Sequence, residues 1–384
     1  MLATWKSEMQ LTEFDYDVVV VGGGAVGLSA GYYCAEAGMN TVVVERHERF
    51  CEEASTHNSG VLHSGFNPEP GTLKSRLNIE GLSLMYRKSE EWKFRTKKVG
   101  TMVAATTKQE ERRLLLLKAD GERNGVTGLE LLKGKGVRDV EPDVENVIAA
   151  LYSPEGGVID IMEYLARLQA RAALAGAVLA PGRDVSGIRR EGDGLMISFS
   201  NGESISTRFA VNSAGISSDI VASMTGCRYT IHPCVGEYAF VAGEKSGLVR
   251  GMIYPVREEG SPGLGTHLTA TIDGQLQVGP TAVYADSREP LSWRKTPMES
   301  FLAAVRRFFP SVNLADMREG WYGVRAKIVP PGSGRGFSDF KIEWDRNMLP
   351  VVHLVGIESP GLTASLAIGR HVMQMIAERN VRGS

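Results

Sequence analysis

The apolar run Val18 to Val21 is continuous and does not alternate, which predicts a parallel strand buried on both faces. A glycine turn follows, then a helix that Gly38 ends before a second apolar run, Thr41 to Val44. Leu73, Leu77 and Leu84 recur at near-helical spacing, and Lys108 to Gly121 reads as a helix carrying four consecutive leucines, Leu114 to Leu117. Glu110, Glu111 and Asp120 flank those leucines and favour an ordinary amphipathic helix over one that dips into a membrane. Asp160 and Glu163 have capping-box spacing, and Ile161, Leu165, Leu168 and Ala172 form the stripe of a core helix ending near Gly176.

Val185 to Arg190, Leu195 to Ser200 and Ser204 to Asn212 are short strand-like runs joined by glycine turns, an antiparallel meander. Phe209 to Gly215 then repeats the strand-to-glycine edge, with a helix expected from about Ser217 to Thr225. From Ile231 to Gly279 the strands lengthen, with a turn at Asp273-Gly274, which predicts a separate antiparallel sheet followed by a helix over Pro297 to Arg307. The strand, glycine loop, helix order returns once more at Val351 to Val355, Gly356 to Thr363 and a helix through about Ala377. Both ends of the chain therefore build one domain.

The glycine turn carries chemistry. Gly22, Gly24 and Gly27 fill a G-x-G-x-x-G pattern between a strand and a helix, where backbone N–H groups and the helix dipole can hold a pyrophosphate. Glu45 closes the second strand about 20 residues on, placed to accept hydrogen bonds from ribose hydroxyls. By itself the motif does not separate FAD from NAD. With 43 Lys and Arg against 45 Asp and Glu, a formal charge of −2 gives no reason to expect nucleic acid or an anionic membrane as the main partner. Cys34, Cys51, Cys227 and Cys234 show no metal-ligand spacing, so no metal is expected and a reducing compartment is. Residues 1–16 lack the pattern of an export signal and no window is apolar enough to span a bilayer, which predicts a cytoplasmic protein and leaves room for peripheral contact with the inner face of the membrane.

These landmarks resemble the FAD-dependent oxidoreductases of the D-amino-acid oxidase type, and within them the L-2-hydroxyglutarate dehydrogenase/oxidase family. The resemblance rests on NSGVLHSGF with PGTLKSRLNIEG (Asn58 to Gly81), VNSAG (Val211 to Gly215), YPV followed by GTHLTATIDGQLQVGP (Gly265 to Pro280), GVRAKIVPPG (Gly323 to Gly332), DFKI (Asp339 to Ile342) and SPGLTASLAIG (Ser359 to Gly369). It implies an α/β fold: a discontinuous Rossmann-like FAD-binding domain (1–87, 145–228, 335–384) and an antiparallel-sheet α+β substrate domain (88–144, 229–334). It further implies an FAD site built from Gly22, Gly24, Ala25, Val26, Gly27, Glu45, Arg46, Ser55, Asn58, Ser59, Gly60, Val61, Val185, Ala214, Gly215, Arg325, Ser359, Pro360, Gly361, Leu362 and Thr363. The chain departs from the family at Gly361-Leu362-Thr363, where ATS is usual, at Arg325-Ala326-Lys327, where RAQ is usual, and at Glu237-Tyr238-Ala239, where a tyrosine pair is usual. Those segments are expected to face flavin or substrate, so they bear on which substrate is used.

The implied reaction is oxidation of a small 2-hydroxy acid to its 2-keto acid, with dioxygen or a quinone as electron acceptor. Arg325 is the expected clamp for the substrate carboxylate, since a guanidinium fork meets it with two parallel bonds; a structural ion pair is the competing role. His63 and His267 are the candidate bases, because imidazole titrates near neutral pH, and His63 is favoured for its glycine-flanked loop in the cofactor domain. Tyr238, Tyr254, Thr269 and Lys327 are expected as further substrate contacts. Rival readings are an amine or amino-acid oxidase, a glycerol-phosphate-type dehydrogenase, and an RNA-modifying or purely electron-carrying flavoprotein, the RNA role being disfavoured by the lack of a basic stripe.

Overall fold

The computed structural model describes residues 14–258, 260, 261, 263–288, 296–334 and 338–383. The expectation about an export signal falls largely on residues 1–13, outside the described residues. The Tyr16–Val21 strand lies at the centre of an eight-stranded sheet, parallel to Thr41–Val44 on one side and to Ser204–Asn212 on the other. Its four valines are buried, as an unbroken apolar run in a doubly covered strand requires. The Val185–Glu191, Gly194–Phe199 and Ser204–Asn212 strands form the expected meander, and Val351–Val355 pairs parallel to the last of them, so the C-terminal segment does return to the same sheet.

Helix Ala25–Glu36 packs between this sheet and helix Gly361–Gly383, which runs past the expected end at Ala377. A Cβ on Gly369 would lie 2.4 Å from the Ser29 carbonyl carbon, so glycine is what allows the two helices this approach. Helix Leu73–Trp92 is capped locally by Thr72, whose hydroxyl accepts the Ser75 N–H at 3.1 Å. Asp339, far along the chain, accepts the Leu73 and Lys74 N–H groups at 2.9 and 2.8 Å. The capping box at Asp160 is only half made: Asp160 accepts the Glu163 N–H, but the Glu163 carboxylate bonds Arg95 instead of returning to the cap.

The second sheet has nine strands and differs from expectation in two respects. It is not purely antiparallel, because Met252–Pro255 runs parallel to Thr101–Ala105, a strand delivered by a distant stretch of the chain. Ala149–Ser153, expected in the cofactor domain, pairs with Thr101–Ala105 in this sheet. The chain leaves it through Gly156 and Gly157, where a Cβ would meet Thr101 Oγ1 at 2.0 Å and the Tyr86 hydroxyl at 2.2 Å. A small sheet of Val61–Leu62, Gly157–Ile159 and Thr96–Lys98 links the two layers. Of the four leucines, Leu114 is fully buried, Leu117 packs against the core, and Leu115 and Leu116 are 56% and 69% exposed, as one face of an amphipathic helix demands. Among the described residues no helix is long and apolar enough to cross a membrane, and all four cysteines are buried and free.

Candidate active site

A single cavity of about 720 Å³ runs from the glycine turn at Gly22 and Gly24 to His267, with walls from both large sheets. At the turn, Gly22 takes φ of +103°, and a side chain there would press on the Ser213 carbonyl oxygen at 2.6 Å. Gly27 stands behind the wall, not in it: its Cβ would fall 1.8 Å from the Gly22 oxygen, so its part is to let the helix close on the strand. Gly24 caps the helix with no side-chain bond, while Ser55 Oγ accepts the Ala25 N–H at 2.9 Å. The Glu45 carboxylate is held by two N–H groups, Gly23 at 2.7 Å and His47 at 3.0 Å, and faces the cavity with its remaining lone pairs. Arg46 reaches Ser217 and pairs with Glu53 along the same wall. A helix start whose cap residue is glycine, a pre-oriented carboxylate and a turn stripped of Cβ atoms fit the pyrophosphate and adenosine ribose of a dinucleotide.

The other end is built around helix Gly361–Gly383. Thr363 Oγ1 accepts the His63 N–H at 3.1 Å and donates to the Val61 carbonyl at 3.2 Å, stitching the NSGVLH segment to the helix start. The hydroxyl in the departure Gly361-Leu362-Thr363 therefore has a definite task. His63 lines the cavity with Nε2 3.1 Å from Ser359 Oγ, and burial pushes its pKa down to about 4. His267 is more deeply buried, stacks on Tyr254 at 4.1 Å, and has Nδ1 3.3 Å from the Gly265 carbonyl; burial above all lowers its pKa to about 3. Both rings are neutral at pH 7, the form that can accept a proton.

Arg325 lines the cavity from the Met317–Lys327 strand, opposite Cys234 in register. Its Nη1 donates to the Thr281 carbonyl at 3.0 Å, and among the described residues it has no ion-pair partner. The competing structural ion pair is thus absent from the described residues, and the guanidinium keeps donors free for an anion. Tyr238 also lines the cavity, beside Trp321. Tyr254, Thr269 and Lys327 do not, which corrects their expected placement. Tyr254 belongs to the core behind His267, and Thr269 is fully buried in its sheet. Lys327 is wholly buried with Nζ 2.7 Å from Glu358, a cavity-wall carboxylate that Lys74 also approaches at 3.5 Å. Glu237 and Ala239 are likewise buried away from the cavity, Glu237 accepting the Thr296 N–H at 2.6 Å. Of the expected FAD residues, Gly27 and Gly60 stand off the cavity lining and the others form it.

Gly236, Thr281 and Glu358 are wall residues that sequence reasoning missed: Gly236 and Thr281 lie in no motif and reach Arg325 only through the pairing of the His232–Val241 strand, and Glu358 lies in the Gly356 to Thr363 loop just before the helix without being singled out. Outside the cavity, Cys227, Asp345 and His353 bring ligand-type atoms within 4.8 Å of one another. Asp345 Oδ2 already accepts from Cys227 at 3.1 Å and bonds His353 at 3.0 Å, while Asn347 and Leu349 N–H groups bond Oδ1. This trio reads as a satisfied polar pin within the sheet edge.

The fold and this cavity define a dinucleotide-binding flavoprotein oxidoreductase. The sequence profile of the FAD dependent oxidoreductase family, DAO, matches residues 17–375, and the chain belongs to that family and uses FAD. It is 30% identical over 403 residues to the L-2-hydroxyglutarate dehydrogenase of Indibacter alkaliphilus, covering 95% of this chain and all of that one. The mitochondrial L-2-hydroxyglutarate dehydrogenase of Homo sapiens is 28% identical over 414 residues, covering 95% of this chain and 89% of the relative. In fold it is similar to the L-alpha-glycerophosphate oxidase of Mycoplasma pneumoniae, solved with FAD bound, with a TM-score of 0.84 at 24% identity over 94% of each chain. Glycine oxidase from Geobacillus kaustophilus gives 0.80 at 19% identity over 94% of this chain and 95% of the other.

Proposed function

We propose that this enzyme oxidises a small 2-hydroxy acid of the L-2-hydroxyglutarate type to the 2-keto acid. The observation that carries the reading is Arg325, a guanidinium on the cavity wall without a carboxylate partner among the described residues, in the same cavity as the neutral His63. The names of the relatives support the same substrate class. In this reading Arg325 binds the substrate carboxylate and orients the α-carbon, and His63 takes the hydroxyl proton on its unprotonated ring nitrogen. His267, whose Nε2 is buried without a hydrogen-bond partner, forms the wall behind. When bound, FAD would supply the hydride acceptor, and the residues placed to hold it are Gly22, Gly24, Ala25, Val26, Glu45, Arg46, Ser55, Asn58, Ser59, Val61, Val185, Ala214, Gly215 and Ser359 to Thr363. The electron acceptor is dioxygen or a quinone, and stopped-flow reoxidation with each separates them. Incubation with a panel of L- and D-2-hydroxy acids and amino acids, watching flavin bleaching without oxygen, tests the proposal; bleaching by amino acids with release of ammonia would replace it with the amine-oxidase reading.

Glu45 gives a prediction independent of the substrate. Glu45→Ala removes charge-assisted bonds to the ribose and leaves the Gly23 N–H unpartnered, so FAD retention should weaken by about 1.5 to 3 kcal/mol, read as the FAD content after dialysis and the dissociation constant on reconstitution. A variant that keeps FAD as the parent does would remove Glu45 from the ribose.

The histidines predict the pH dependence. Their native pKa values lie below the ordinary 6.5, so between that value and about 4 the unfolded chain binds protons that the native chain does not. Stability therefore falls as pH drops through this window, and the acid limb of kcat/KM should lie nearer pH 4 than 6.5. A limb centred at 6.5 would mean that the base is a solvent-exposed imidazole.

A further inference from the structure

We infer that Gly236 is a positioning residue for Arg325, its missing side chain allowing the guanidinium to lie along the sheet face and present an edge to the cavity. The inference rests on the reading of Arg325 as the carboxylate clamp. Gly236 sits inside the His232–Val241 strand, where glycine is ordinarily unfavourable because it orders at a high entropic cost and packs nothing. Its backbone does not need glycine, since its φ is not among the positive ones. Space does need it. A Cβ at this position would stand 2.7 Å from Arg325 Nη2, 3.0 Å from Cζ and 2.9 Å from Pro280 Cβ.

The register explains how the space is occupied. Arg325 lies opposite Cys234 and Gly236 opposite Gly323, so Gly236 is the diagonal neighbour over which the Arg325 side chain extends. The facing Gly323 has a different occupant: its Cβ would meet the His57 carbonyl oxygen at 2.1 Å, where the loop carrying Asn58 and Ser59 crosses the sheet. The pair of glycines thus opens a window in the sheet, one half filled by the cofactor-side loop and the other by the guanidinium. Thr281 holds the opposite edge of Arg325 through its carbonyl. A methyl group at Gly236 must displace the guanidinium by several tenths of an ångström or more, on the scale at which a misplaced group costs up to about 10² in rate.

The test uses FAD-loaded Gly236→Ala, with FAD content and Tm as controls. Binding of 2-oxoglutarate and of its C1 monomethyl ester is followed by the perturbation of flavin absorbance. The acid should bind about tenfold to 10²-fold more weakly than to the parent and the ester unchanged, and Gly236→Ala should add nothing in an Arg325→Ala background. Equal weakening of acid and ester, or full additivity in the double variant, would overturn the inference while leaving the clamp standing. If Arg325→Ala alone binds the acid as the parent does, the clamp falls and this inference with it. Should Gly236→Ala not fold, rescue of folding by Arg325→Ala supports the clash with the guanidinium, and failure of both assigns the glycine to Pro280 packing and overturns the inference.

Discussion

Replacing His63 with alanine is expected to slow anaerobic flavin reduction by the hydroxy acid by about 10² to 10⁴, with the protein still yellow and folded. The ring lies on the cavity wall, anchored at its backbone by Thr363 and at Nε2 by Ser359, and burial holds it neutral. Losing a base acts on the transition state more than on binding, so the loss should appear in the rate of reduction and not in substrate affinity. His267→Ala should act differently. Its ring is buried against Tyr254 and its Nε2 is occluded, so the effect expected is a loss of stability and a modest change in rate. Rapid-mixing reduction of both variants across pH decides between them. A His63→Ala enzyme reduced at the parent rate, beside a His267→Ala enzyme that is not reduced, would exchange the two roles; normal reduction of both would favour an amine oxidase, which needs no dedicated base.

The second large effect is expected from Arg325→Lys. Charge is preserved, yet the planar fork that offers two parallel N–H groups is lost, and with it charge-assisted bonds worth about 1.5 to 3 kcal/mol, roughly 10- to 150-fold in kcat/KM. One guanidinium edge is already committed to the Thr281 carbonyl, so a lysine would have to choose between that acceptor and the substrate. FAD content should not change. Steady-state kinetics of Arg325→Lys with full flavin and parental kcat/KM would remove Arg325 from the substrate site.

The dinucleotide half of the molecule was legible because its signals are local. Val18 to Val21, the three glycines and Glu45 lie within one strand, turn, helix, strand unit, and each spacing is enforced by backbone geometry that few residues satisfy. The same holds for the Val185 to Asn212 meander and for the final strand and helix. The resemblance added FAD and the two histidines, both of which the fold brings to one cavity.

The substrate side was less legible because register over long separations decides it. Lys327 is two residues from Arg325, and strand alternation puts both on one face, yet Lys327 is spent on Glu358, 31 residues on. Tyr254 and Thr269 sit in strands of the right sheet but one layer behind the wall, and Ala149–Ser153 joined that sheet because a partner strand from residues 101–105 was there to pair with it. Sequence alone determined that the chain builds a dinucleotide turn and which residues form it, since contacts within a few residues follow from side-chain size and backbone freedom. Only the tertiary structure decided which cations, rings and glycines share the cavity, because those distances are set by strand pairings between segments tens to hundreds of residues apart, and no local pattern encodes them.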